Sequence, residues 1–130
     1  MRAMQAALRQ AGCLPKDLSC VLAHGTGTRA GDAAEAMALT GLLQGERVPV
    51  TALKSMTGHL CGASGALEVI AAVHAIAEGV IPPTLNFSQP DCGNELALVA
   101  SEAREQRVKT VLCNAFGFGG ANSCVVVKRY

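Results

Sequence analysis

Two histidines stand where apolar runs give way to residues with little bulk. His24 opens HGTGT at the predicted carboxyl end of a strand, the edge where open α/β sheets bind ligands, and the glycines around it let a ligand approach the backbone. A plain strand-to-helix turn with a surface histidine fits the same residues. His59 lies in LKSMTGHLCGASG, residues 53–65, just before a predicted apolar helix. The positive end of that helix and burial both disfavour imidazolium, so the spacing points to a neutral histidine donating a hydrogen bond. A hydrogen-bonded core histidine is the rival reading. Lys54, five residues upstream, needs a partner in so apolar a neighbourhood. Glu35 is one candidate, although it serves equally well as the glutamate of a helix capping box. His74 has no ligand-type residues at metal spacing and reads as structural.

The elements that must hold these groups follow from periodicity. Met4, Ala7, Leu8 and Ala11 recur at helical spacing, with Gly12 and Pro15 as a stop. A strand over 19–23 then runs into HGTGT. Asp32 and Glu35 resemble an N-cap and its capping-box partner for a second helix ending near Gly45. Residues 48–53 form a second strand. Residues 66–78 form a helix apolar almost all round, which implies burial on most sides. Gly79, Pro82 and Pro83 end it and open an ordered loop, PPTLNFSQPDCGN. Strands are expected over 96–100, weakly, and over 109–114 and 123–128. Between the last two, NAFGFGG reads as a glycine-rich hairpin, with a movable apolar door built from its phenylalanines as the second possibility. Helices alternating with apolar strands indicate an α/β layer architecture.

Composition narrows the function classes. The 130 residues are 50% apolar, enough for one core and one domain spanning 1–130. A net charge of +1 with 3% aromatics gives neither the basic footprint nor the stacking platform of a nucleic-acid binder. No apolar stretch is expected to reach membrane-span length and no signal peptide is evident, which points to the cytoplasm and to no membrane partner. The six cysteines include no CxxC pair, so reduced thiols packed as small hydrophobes are expected, with no metal.

HGTGT, KSMTGHLCGASGA, IPPTLNF and NAFGFGGAN, in this order and spacing, resemble the carboxyl-terminal half of β-ketoacyl-acyl carrier protein synthases of the thiolase superfamily. The resemblance covers nearly the whole chain. It implies half of a thiolase-like α/β fold, a mixed sheet covered by helices, and decarboxylative Claisen condensation of acyl and malonyl thioesters in fatty-acid or polyketide synthesis. It implies that His24 and His59 are the active-site histidines, donating N–H groups to the malonyl thioester oxygen as the enolate develops. It pairs Lys54 with Glu35 as a buried ion pair, gives Thr26 and Thr28 to the phosphopantetheine arm, and makes Phe118 the gating phenylalanine whose backbone N–H joins an oxyanion hole. No cofactor is expected on the chain itself, because acyl carrier protein brings the substrates on its phosphopantetheine.

Two departures shape the expectation. The family's nucleophilic cysteine, in a context like TACSS, has no counterpart among the six cysteines, and Cys61 occupies a packing position. The chain also begins at the helix after the first strand of the family half. That strand is expected to be central, so that without it the sheet would fall into two unconnected pairs. The expected protein is therefore one piece of a split ketosynthase, with a partner chain bringing the amino-terminal half and its cysteine, acyl carrier protein as a second partner, and a dimer of the assembled enzyme. A non-catalytic subunit resembling chain-length factors, or a truncated ketosynthase fragment, are the alternatives.

Overall fold

The computed structural model describes residues 1–90 and 92–130. In chain order the elements are α1 (Arg2–Ala11), β1 (Cys20–Leu22), α2 (Arg29–Leu43), β2 (Pro49–Thr51), α3 (Lys54–Thr57), α4 (Ser64–Glu78), β3 (Val80–Ile81), β4 (Ala97–Leu98), β5 (Arg104–Glu105), β6 (Thr110–Phe116) and β7 (Asn122–Lys128). Five strands form one sheet in the order β4-β2-β1-β6-β7, while β3 and β5 make a separate antiparallel pair. Within the main sheet β4, β2, β1 and β6 run parallel, and β7 returns antiparallel as the second arm of a hairpin. The hairpin reading of NAFGFGG therefore holds, with the Gly117 N–H donating to the Ala121 carbonyl at 2.8 Å across the turn.

Side chains alternate across the sheet as the pleat requires. Val21, Val50 and Leu112 face α1 and α2, where Met4, Leu8, Leu39 and Leu42 complete one core layer. Cys20, Leu22, Val111 and Cys113 face the other way, onto Ala72 and Ala75 of α4. Every residue of β1 and β2 is buried, the pattern of parallel strands covered on both faces. Burial leaves Cys113 a neutral thiol, pushed up to about 12.

Four expectations change. The centre of the sheet is filled: Cys20, Val21 and Leu22 pair directly with Val111, Leu112 and Cys113, so there are no unconnected halves, and a further strand can add only at an edge. Helix α2 begins earlier than the Asp32 cap implied. Thr28 is its N-cap, accepting the Gly31 N–H at 3.3 Å, while Asp32 accepts the Gly27 N–H at 3.2 Å. Helix α4 buries only the stripe Ser64, Glu68, Ala72 and Ala75. Ile70 and Val73 are 55% and 52% exposed on its other side, and His74 is exposed with them rather than part of the core. Finally, residues 61–78 do reach span length, 18 residues at a mean hydropathy of 1.3. The buried ion pair at Glu68 and the packing of Ala72 and Ala75 seat one face of this segment on the sheet, while its other face stays open. The loop expected over PPTLNFSQPDCGN falls partly on Asp91, which lies outside the described residues, and Thr84 within it bridges to Ala100.

Candidate active site

The carboxyl ends of β1 and β6 and the turn before α4 meet at one edge of the sheet. β1 delivers His24, and the carboxylate of Glu35, buried on α2, holds the chain just there. Its Oε1 accepts the His24 N–H at 2.9 Å and its Oε2 the Gly25 N–H at 2.9 Å. Oε1 also accepts the side-chain amide of Asn114 on β6, at 2.9 Å. Asn114 is fully buried, so its amide can be tolerated only with such a partner. Gly25 must be glycine twice over. Its φ is +41°, and a Cβ there would stand 2.7 Å from the Ala52 Cβ.

The His24 ring is flanked by two others. The ring of His59 lies edge-on with centroids 5.5 Å apart, and that of Phe116 sits at 5.7 Å. Burial first, then the charge of Lys54, then His59 hold the His24 imidazole below its ordinary value, so it is neutral at neutral pH. His24 Nδ1 is buried without a partner among the described residues.

His59 is exposed, not buried, and its tautomer is set locally. The backbone N–H of Cys61 points at His59 Nδ1 at 3.1 Å. A backbone N–H can only donate, so Nδ1 carries a lone pair and the proton of the neutral ring sits on Nε2. Behind it, Lys54 Nζ meets Glu68 Oε1 at 2.7 Å, with the two side chains 5% and 3% exposed. This corrects the expected Lys54–Glu35 pair. Both Glu35 oxygens are taken by donors from β1 and β6, whereas Glu68 lies on the buried stripe of α4 that faces Lys54. Burial raises the Glu68 carboxyl from its ordinary value, opposed by the hydrogen bond and charge of Lys54.

Of the remaining expected residues, Thr26 lines the cleft beside His24, and Thr28 touches Thr26 from the start of α2. The hydroxyls of Thr26 and Thr28 are 3.1 Å apart on the loop leaving His24. A cleft of about 480 Å³ is lined by His24, Thr26, Glu35, Phe116 and Asn122. Phe118 stands fully in solvent on a short turn, and the ring beside His24 is that of Phe116. Sequence reasoning missed Asn114, Glu68 and Phe116. The first two carried a signal, an amide in the middle of the apolar strand TVLCNAF and a lone carboxylate in the apolar helix ALEVIAAV, since either group demands a buried partner. Phe116 carried none that separated it from Phe118.

Residues 1–88 match the model of the β-ketoacyl synthase carboxyl-terminal domain. A 3-oxoacyl-[acyl-carrier-protein] synthase 2 of Coxiella burnetii is 44% identical over 97% of this chain, and the match covers 31% of that protein. The tetracenomycin polyketide synthase ketoacyl synthase alpha subunit of Streptomyces glaucescens is 48% identical over 98% of the chain and 30% of its own length. The chain thus spans about a third of the curated relatives it matches. Among solved structures, the ishigamide ketosynthase/chain length factor superposes with a TM-score of 0.96 at 36% identity, over 99% of this chain and 32% of that one. A β-ketoacyl synthase from Burkholderia phymatum gives 0.93 at 37% identity, over 99% of this chain and 32% of its own. Sequence and fold agree, and the chain belongs to the β-ketoacyl synthase family as its carboxyl-terminal domain.

Proposed function

We propose that this chain contributes malonyl decarboxylation and pantetheine binding to a ketosynthase whose nucleophilic cysteine lies outside these 130 residues, on an amino-terminal ketosynthase half. The observation that carries the reading is the edge-on pair of His24 and His59 at the sheet edge, one ring neutral by its surroundings and the other presenting Nε2–H. In this reading both imidazoles donate to the carbonyl oxygen of a malonyl thioester. The carbon–carbon bond to the carboxylate breaks, carbon dioxide leaves, and the electron pair moves onto the carbonyl as an enolate that the two donors stabilise more strongly than the ground state. The enolate carbon then attacks the acyl thioester held on the distant cysteine, expelling its thiolate and leaving a β-ketoacyl thioester. Lys54 and Glu68 brace the wall behind the histidines, Glu35 fixes the His24 backbone, and the Thr26 and Thr28 hydroxyls take the amides of the pantetheine arm. Phe118, free in solvent on its glycine turn, gates the entry of the acyl group, with its backbone N–H in the oxyanion hole.

The substrates arrive on acyl carrier protein and the assembled enzyme works as a dimer in the cytoplasm. One solved relative, 32% identical, is described as an acyl-carrier protein in complex with its ketosynthase, which supports the first of these. The test is assembly of the chain with an amino-terminal half and assay of malonyl-carrier-protein decarboxylation and of condensation. Loss of both in His24→Ala and His59→Ala supports the proposal. A stable complex whose activity ignores both substitutions would instead assign an interaction subunit like a chain-length factor, and failure to bind any half would assign a truncated fragment.

A further inference from the structure

Ser64 is the first helical residue of α4, one place after the N-cap Ala63, and its side chain does not point out into solvent. The Ser64 hydroxyl turns back instead. Its oxygen accepts the Leu60 N–H at 3.0 Å and lies 3.2 Å from His59 Nδ1, and the residue is 6% exposed. Direction follows from the neighbours. The Cys61 N–H requires a bare Nδ1, so the Ser64 hydroxyl can bond to the ring only as a donor, sharing the single Nδ1 lone pair with Cys61 while its own oxygen takes the Leu60 N–H. Together the two contacts at Nδ1 fit one neutral state of the imidazole, the one with its proton on Nε2.

We infer that Ser64 is a positioning residue for His59, its hydroxyl holding the ring plane and the Nε2–H tautomer so that this donor faces the substrate oxygen. Ser64 touches no substrate; it acts through the imidazole. The inference rests on the decarboxylation reading above, because the Nε2–H matters only if an enolate oxygen forms in front of it. Cys61 meets Nδ1 from the turn two residues on, and Ser64 adds a second contact from the start of α4, so the ring is held from two separate points of the chain. The buried Ser64 is also tied to the rigid stripe of α4 that carries Glu68, so the ring inherits the position of the helix.

The experiment uses the assembled ketosynthase. Ser64→Ala should lower kcat for malonyl-carrier-protein decarboxylation about fivefold, the effect of one hydrogen bond, with KM unchanged. Ser64→Thr, which keeps the hydroxyl, should restore kcat to within about twofold, and Ser64→Cys should behave like alanine. In parallel, nitrogen-15 spectra of the histidine-labelled assembly, with His59 signals assigned by their loss in His59→Gln, should show an acceptor Nδ1 and a protonated Nε2, and Ser64→Ala should shift the Nδ1 signal, which loses one of its two donors, while Nε2 stays protonated. Wild-type kcat in Ser64→Ala overturns the inference, as does equal damage by Ala and Thr with unmoved His59 signals, the mark of packing alone. If the wild-type assembly does not decarboxylate at all, the functional reading falls, and the spectra still decide what Ser64 does to His59.

Discussion

Replacing Lys54 with methionine removes the cation and leaves Glu68 in place, 2% exposed, its Oε2 already without a partner among the described residues and the charge of Glu35 acting against it. A carboxylate stripped of its partner at that depth takes up a proton rather than remain charged. Its ordinary value is 4.5, and burial already pushes it upward in the native chain. Holding it protonated at pH 7.5 spans three pH units at about 1.4 kcal/mol each, so Lys54→Met should cost about 4 kcal/mol there. The sign is fixed by linkage: the variant's folded state binds a proton that the unfolded state has released. The penalty is therefore near its minimum below pH 4.5, about 1 kcal/mol at pH 5, and grows with rising pH until Glu68 ionises. Urea unfolding of wild type and variant at pH 5 and pH 7.5 measures the difference. The double variant Lys54→Met with Glu68→Leu should recover stability to within about 1 kcal/mol of wild type, as buried pairs replaced by apolar side chains do. Burial, the larger cause, still holds His24 below its ordinary value in the double variant, so decarboxylation by the assembled enzyme at pH 7.5 should change only through the altered packing behind the histidines. A pH-independent loss below about 1 kcal/mol for the single variant would refute the argument.

Glu35→Gln replaces an oxygen facing a backbone N–H with an amide that cannot accept from it, so decarboxylation should fall about tenfold or more while carrier-protein binding holds, measured as a drop in kcat at constant KM. Because His24 must be neutral to act and its value is lowered, the rate should stay flat as pH falls through 6.5 and decline only below it; a decline centred at or above 6.5 in a pH–rate profile contradicts the assignment. Gly25→Ala drives a methyl to 2.7 Å from the Ala52 side chain in a left-handed backbone, and a loss of about 2–4 kcal/mol in unfolding free energy is expected; an unchanged midpoint would show that the loop can yield.

The strands and helices were legible because their periods are clean: β1, β2 and β6 read as apolar runs and α1 as a stripe, and each appears within a few residues of its expected bounds. HGTGT and GHLCGASG announced the histidines through the glycines beside them. What the sequence hid was pairing. Two glutamates stand at comparable places on two helices, and nothing in their spacing tells which one faces Lys54, since that depends on how α2 and α4 lie on opposite faces of the sheet. The order of strands was hidden for the same reason. β1 joins β6 across some 90 residues of chain, a contact set by three-dimensional packing and by no local motif. The apolar girth of α4 misled in the other direction, because a helix can be apolar all round while one side of it stays open.

The sheet has two unlike rims. On one side β4 offers a two-residue strand, too short to template anything, whereas on the other β7 presents seven extended residues with Val125 46% exposed. An edge strand of that length is a ready seam for a second polypeptide segment, laid down by main-chain hydrogen bonds that demand little of its side chains. Whatever segment first reaches this seam therefore decides between productive assembly and clumping. Dilution, or the early presence of the rest of a ketosynthase during synthesis, should govern the yield of soluble material more strongly than any substitution in the core.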